Sequence, residues 1–206
     1  MLAPFCSECW SGMVKYAGPS CRICDTPITS EDATVCAECM KRPPLFSKAM
    51  SFGLYEDTLA SAIHFFKFQR IRRLHRPLGE LLMWFDMSGI DALIPVPLSI
   101  RGLRERGFNQ SLLLAKTLSD RNKVPLIMDG LVKKTETPAQ IGLSKNERRL
   151  NLKGSFKTDR KFSRMRLLLI DDVMTTGSTA NECSKVLLRA GAKEVQVITL
   201  ARANYL

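Results

Sequence analysis

Only two histidines occur in the 206 residues, and the sequence offers no Ser-His-Asp or Cys-His constellation. Nothing therefore points to nucleophilic catalysis of that kind. Long apolar runs are missing too: LLMWF (81–85) stops at Asp86, well short of the roughly 18 residues that span a bilayer. The N-terminal MLAPFCSECW lacks the basic start and long apolar middle of a secretion signal, so a cytoplasmic location is expected. There is no low-complexity tract, and no internal repeat outside the cysteine pairs. Acidic residues are few beside basic ones, 20 against 31, and the net charge of +11 favours polyanionic partners: nucleic acid, phosphorylated metabolites or anionic lipid.

Cysteine is present but unevenly placed. Six of the seven cysteines fall in the first 39 residues as CSEC (6–9), CRIC (21–24) and CAEC (36–39). In a reducing cytosol such pairs read as metal ligands rather than disulfides. Two Cys-x-x-Cys knuckles supply four thiolates to a tetrahedral Zn²⁺, and no histidine accompanies them, so a closed structural site is expected. Cys9 to Cys21 and Cys24 to Cys36 each enclose eleven residues, so spacing does not decide which pairs share the metal. Cys183 stands alone in a helical segment and reads as a small buried apolar residue.

The pattern divides the chain into a Cys-rich zinc-ribbon-like segment, residues 1–44, and a larger domain, residues 45–206. In the larger part, SKAMSFGLY (47–55) alternates like a strand, and EDTLASAIHFFKF (56–68) repeats Leu59, Ile63 and Phe66 at helical spacing. LGELLMWF (78–85) suggests a second helix and DALIPVP (91–97) a short buried strand. Asn109 is placed to cap a helix through SLLLAKTL (111–118). The polar 133–154 stretch reads as a long functional loop. RLLLI (166–170) is a buried strand, STANECSKVLLRAGA (178–192) a helix, and EVQVITLA (194–201) a strand. Alternating strands and helices predict an α/β fold, a mainly parallel twisted sheet with helices on both faces.

In LLLIDDVMTTGST (167–179) four apolar residues run into two adjacent carboxylates, Asp171 and Asp172. Ligands of open parallel sheets sit at the carboxyl ends of strands, and that edge is where the pair falls. The following turn leads into a helix, where backbone N–H groups and the helix dipole favour an anion. Thr175, Thr176, Ser178 and Thr179 add hydroxyls, and Gly177 leaves room for close backbone approach. Phosphate in the turn and hydroxyls on the acids together suggest a sugar phosphate.

This stretch resembles the 5-phosphoribosyl-1-pyrophosphate (PRPP) motif of type I phosphoribosyltransferases. Together with the cysteine-rich start, IPVPLSIRGLRERGFNQ (94–110) and TPAQIGLSKNERRLNLKGSF (137–156), it resembles the ComF family of competence-associated proteins over nearly the whole chain. The resemblance implies a phosphoribosyltransferase-like domain linked to uptake of single-stranded DNA. It gives Asp171 and Asp172 a catalytic place at the ribose diol. Val173, Met174, Thr175, Thr176, Gly177, Ser178 and Thr179 would form the 5′-phosphate loop, and Arg101, Arg104 or Arg106 would face the pyrophosphate, with Mg²⁺ bridging. The long, proline-bearing PVPLSIRGLRERG departs from the short pyrophosphate loop of well-characterised transferases. By the same resemblance, Cys21, Cys24, Cys36 and Cys39 form the complete zinc site. Cys6 and Cys9 are the second pair of a double ribbon, completed by residues outside this chain or left without metal.

HFFKFQRIRRLHR (64–76) interleaves Phe65, Phe66 and Phe68 with Lys67, Arg70, Arg72, Arg73 and Arg76. That composition suits a single-strand surface, with bases stacked on rings and phosphates on cations. It equally suits an amphipathic helix whose Phe66 continues the core stripe. Arg148 and Arg149 are placed to reach pyrophosphate if the 133–154 loop closes. Two functions stay open. One is a PRPP- and Mg²⁺-dependent phosphoribosyltransferase that releases pyrophosphate. The other is a non-catalytic competence factor that binds single-stranded DNA and takes PRPP as a regulatory ligand.

Overall fold

The computed structural model describes residues 5–30, 32–134 and 152–203. Its centre is a four-stranded, all-parallel sheet of β1 (Lys48–Leu54), β2 (Ala92–Pro95), β5 (Arg166–Met174) and β6 (Glu194–Arg202), in spatial order β1-β6-β5-β2. The near-continuous apolar runs of β5 and β6 follow from this position, because a central parallel strand is covered on both faces. A two-stranded antiparallel pair, β3 (Val132–Lys133) and β4 (Phe156–Lys157), lies apart from the sheet. The 135–151 part of the long polar stretch, with Arg148 and Arg149, falls outside the described residues.

One face of the sheet carries α3 (Asp57–Phe68), α4 (His75–Glu80) and α6 (Gln110–Asn122), packed on Leu93, Leu168, Ile170 and Ile198. On α3, Leu59, Ile63 and Phe66 are buried at helical spacing while Phe65 and Phe68 stay about half exposed. Phe66 thus belongs to the core, as the amphipathic-helix reading expects, and Phe65 and Phe68 do not. Asn109 caps α6 as expected, its Oδ1 accepting from the Ser111 and Leu112 amides. The opposite face carries α7 (Ser178–Arg189), whose Ala180, Cys183 and Leu187 pack with Leu167, Leu169 and Val197. Cys183 is fully buried. The fold is thus the α/β, parallel-sheet arrangement with helices on both faces that the sequence predicts.

Two helices differ from expectation. LGELLMWF does not form one; the α-helix begins earlier, at His75, with Pro77 in the first turn where its missing N–H costs nothing. After Glu80 the chain tightens into i→i+3 bonds, the Leu82 and Met83 amides donating to Gly79 and Glu80 carbonyls. The 97–107 stretch, expected as a turn, contains helix α5 (Ile100–Arg106). Ser99 caps it by accepting from the Gly102 amide at 3.1 Å, and Gly107 ends it with φ 80°, a left-handed conformation suited to glycine.

The cysteine-rich start holds two short helices, α1 (Ser7–Ser11) and α2 (Ala37–Lys41). It runs along the edge of β1 that does not pair with β6. The Ala49 amide donates to the Ile23 carbonyl (2.7 Å), the Ser51 amide to Asp25 Oδ2 (2.6 Å), and the Tyr16 amide to the Phe52 carbonyl (3.0 Å). An exposed parallel edge would leave these backbone groups open to another chain; the knuckle occupies them.

Candidate functional site

The carboxyl ends of β5 and β2 open into a cavity of about 620 Å³. Five consecutive positions, Asp171–Thr175, and then Gly177 reach it, followed by Ser178 and Thr179 at the start of α7. From α5 come Gly102, Glu105 and Arg106, and from the β3/β4 pair Lys133 and Phe156. The structure so brings together most of the expected loop and one of the three candidate arginines. Arg101 and Arg104 are exposed and do not line the cavity; Arg101 Nε pairs with Glu105 Oε1 at 2.7 Å. Thr176 is also not among the lining residues. Its hydroxyl lies 2.8 Å from the Ser178 hydroxyl and accepts from the Ser178 amide at 3.3 Å, which fixes the entry into α7.

The acid pair is held from the α3/α6 face. Lys67 Nζ, at the end of α3, lies 2.8 Å from Asp172 Oδ1, and both side chains are largely shielded from water. Ser111, in the first turn of α6, donates to Asp171 Oδ1 at 3.0 Å, and the Asp172 amide donates to the same oxygen at 2.9 Å. Burial and the neighbouring Asp172 carboxylate push the Asp171 carboxyl up to about 7, against the pull of Lys67 and these two donors. One acid of the pair is thus anchored as an ion pair, and the other is poised to titrate near neutrality.

Lys67, Ser111 and Arg202 are site residues that sequence reasoning did not assign. Lys67 did stand out as a cation among aromatics, although as a phosphate follower on an outer surface. Arg202 ends β6 and is buried, and its guanidinium Nη1 donates to the Met174 (2.9 Å) and Thr175 carbonyls. Gly177 sits at φ 74°, a left-handed conformation that calls for glycine, and an added Cβ would push the flexible end of Met174, whose Cε would lie 2.8 Å away.

On the far side of the sheet from α3, the Cys21, Cys24, Cys36 and Cys39 sulfurs lie within 4.8 Å of one another. Tetrahedral zinc with Zn–S bonds of about 2.3 Å sets its sulfurs roughly 3.8 Å apart, so the four thiols fit a closed structural site. Cys24 and Cys36 Sγ are already 3.6 Å apart. The Cys6 thiol faces its own knuckle, accepting from the Cys9 amide at 3.4 Å, and both cysteines are exposed. Burial raises Cys36 and Cys39, so loading the cluster must displace protons.

Fold and site define an α/β protein with a crevice where parallel strands end and a sheet edge closed by a four-cysteine knuckle. The chain belongs to the ComF family. It is 35% identical to Competence protein F of Haemophilus influenzae over 211 residues, covering 97% of this chain and 85% of that protein. It is 33% identical to DNA utilization protein YhgH of Escherichia coli O157:H7, across 96% and 89% of the two chains. Competence protein ComFC of Bacillus subtilis is 30% identical, across 96% and 84%. No family model matches the chain. Among solved structures, the glutamine PRPP amidotransferase of B. subtilis aligns with TM-score 0.43 and 23% identity over 61% of this chain and 26% of its own. A purine phosphoribosyltransferase of Pyrococcus horikoshii aligns with TM-score 0.37 and 21% identity over 66% and 75%. Among the described residues no helix is long and apolar enough to cross a membrane.

Two measurements test the site. Because the folded pKa of Asp171 lies above its ordinary value of 3.8, the folded state holds an extra proton between about pH 4 and 7. Stability is greatest below this window and is lost as pH rises through it. Asp171→Asn should therefore melt on the order of 5 °C above the unmodified protein at pH 8, a gap that closes toward pH 4. A constant gap across that range would reject the assignment. For the cluster, metal analysis should find zinc retained in Cys6→Ser and Cys9→Ser at the level this knuckle accounts for, and lost at that site in Cys24→Ser.

Proposed function

We propose that this chain binds PRPP together with Mg²⁺ at the carboxyl edge of β5 and transfers its phosphoribosyl group with release of pyrophosphate, in the setting of competence and DNA utilisation that its relatives' names describe. The observation that carries the proposal is the juxtaposition of the Asp171/Asp172 pair with the Thr175–Thr179 turn on one cavity wall. The acids suit the 2′- and 3′-hydroxyls as acceptors, and the turn suits the 5′-phosphate. Lys67, Lys133 and Arg106 bring positive charge for the remaining phosphates. Mg²⁺, a hard cation that keeps several waters, would supply charge neutralisation on the pyrophosphate. Lys67 is the residue most affected on binding: a diol that takes Asp172 frees the ammonium for an anion.

In the transfer step the acceptor's lone pair forms the new bond to the anomeric carbon. The bond from that carbon to the pyrophosphate oxygen breaks, and pyrophosphate leaves with the electron pair. Positive charge builds on the ribose between the two, and the nearby carboxylates favour it. The chain needs no nucleophile of its own for this chemistry, in keeping with the lack of a triad. Asp171→Asn with Asp172→Asn should weaken PRPP binding by on the order of 100-fold or more in calorimetry. Equal affinity in the double variant would refute the site. Pyrophosphate release from PRPP and Mg²⁺ across a panel of nucleobases and amines tests turnover.

A second function has its own support at the rim of the cavity and on the surface beside it. Phe65 and Phe68 are 48% and 52% exposed, and Arg106 lies 5.6 Å over the Phe68 ring. The His64 ring, one turn earlier on α3, lies 4.9 Å from the Phe68 ring at a tilt of 43°, and Arg70, Arg72 and Arg73 are exposed. Rings open to stacking beside cations suit single-stranded DNA, with PRPP then a ligand that is bound and not consumed. Single-strand affinity should fall steeply with salt, and neutralising Arg70, Arg72 and Arg73 should flatten that slope. An affinity indifferent to salt removes this function.

A further inference from the structure

Arg202 is only 6% exposed, and a buried guanidinium must place its N–H groups on acceptors. Its two terminal nitrogens do so in two directions, while Nε meets no acceptor among the described residues. Nη1 donates to the carbonyls of Met174 and Thr175, at the start of the hydroxyl-rich turn. Nη2 donates to the Thr26 hydroxyl, in the cysteine knuckle 176 residues away in sequence. Asp25 stands beside this contact, fixed by the Ser20 hydroxyl (2.8 Å) and the Ser51 amide (2.6 Å); burial raises its carboxyl, and the Arg202 charge pulls the other way. One side chain thus bonds both the metal knuckle and the crevice.

The direction of the hydrogen bonds gives the link its meaning. Arginine can only donate, so Thr26 Oγ1 accepts from it and keeps its own proton free to give to a further acceptor. The Cys24 sulfur lies 3.2 Å from Thr26 Oγ1. A metal-bound sulfur is a thiolate and accepts that proton better than a neutral thiol does. At the other end, peptide planarity makes the N–H after each carbonyl point the opposite way. Anchoring the Met174 and Thr175 carbonyls on Arg202 therefore turns the Thr175 and Thr176 amides away from it. Thr175 lies on the cavity wall.

We infer that Arg202 is a positioning residue that couples the cysteine cluster to the Thr175–Thr179 turn through Thr26, so that metal in the cluster fixes the turn in its anion-binding shape. The coupling to the turn stands on the bonds just described; its effect on PRPP rests on the function proposed above. Metal loss or thiol oxidation at the knuckle would then loosen the crevice at a distance.

Hydrogen–deuterium exchange of the 174–179 segment tests the coupling without PRPP. The zinc-loaded protein is compared with Thr26→Val, which keeps shape and loses the hydroxyl, and with Thr26→Ser, which restores it. With zinc content equal by elemental analysis, the segment should exchange on the order of tenfold faster in Thr26→Val and at the unmodified rate in Thr26→Ser. Chelation should accelerate the segment in the unmodified protein and add little in Thr26→Val. Arg202→Lys, which keeps the charge and loses the fork, replaces Thr26→Val in the comparison if that variant fails to hold zinc. Unmodified exchange in the zinc-loaded variant, or a segment indifferent to chelation, overturns the inference. A parallel PRPP titration separates the two ideas. If the unmodified protein fails to bind PRPP, the proposed function falls while the exchange result still decides the coupling. If PRPP binds the unmodified protein and Thr26→Val equally well, the coupling to the ligand is overturned.

Discussion

Two carboxylates on consecutive residues at the end of a buried strand repel each other and lose hydration, and most of the crevice can be understood as the answer to that strain. Lys67 comes from the last turn of α3 and Ser111 from the first turn of α6, so two helices that pack on one face both end at the acids. The answer is partial. Asp172 has a cation at 2.8 Å, whereas Asp171 has hydrogen-bond donors and only the longer-range pull of Lys67, and remains raised to about 7 by burial and its neighbour. A protein that folded for stability alone would place an amide or an apolar residue there. Retaining an incompletely compensated acid stores free energy that a ligand presenting hydroxyls or cations can release.

The same economy appears at the other side of the sheet. β1 is an edge strand, and its outward amides are covered by the Cys-rich segment rather than by a fifth strand. Cys21, Cys24 and Cys39 are buried among Phe46, Ala49 and the residues beneath α7, so the cluster belongs to a core that it shares with the sheet. The knuckle therefore closes an edge, completes a hydrophobic layer and reaches Arg202 at once. Removing a metal held by these four cysteines would bear on all three.

Periodicity made much of this fold legible. LLLI and EVQVITLA are apolar without interruption because both faces of a central parallel strand are covered, and α3 and α6 announce themselves by spacing and by the Asn109 cap. Asp171, Asp172 and Thr175–Thr179 were legible for another reason: they are contiguous, so strand, acids and turn could be seen in one line. Helix α5 was hidden by its length of seven residues and by the prolines before it; the signal that might have found it is Ser99 as cap with Gly107 just beyond the last turn. Once α5 is helical, Gly102, Glu105 and Arg106 share a face, and Arg101 and Arg104 fall outside it. Lys67 and Arg202 were out of reach in a different sense. Their roles are made by contacts across more than a hundred residues, and no local pattern marks an arginine at a strand end as the partner of a threonine in a cysteine knuckle.

Charge decides how the two functional surfaces relate. The cavity mixes signs, with Asp171, Asp172 and Glu105 facing Lys67, Lys133 and Arg106, which suits a small ligand carrying both hydroxyls and phosphates. Nucleic acid would be repelled by such acids, and it asks instead for cations and open rings, which lie on the outer side of α3 and beyond it. Phe68 and Arg106 belong to both, since each lines the cavity and the pair stacks at its rim. A ligand that draws Arg106 inward toward phosphate withdraws it from the Phe68 ring and changes the platform outside. On the functions proposed above, the two surfaces would not be rival descriptions of one surface: they would meet at Phe68 and Arg106, and occupancy of the inner one would alter what the outer one presents.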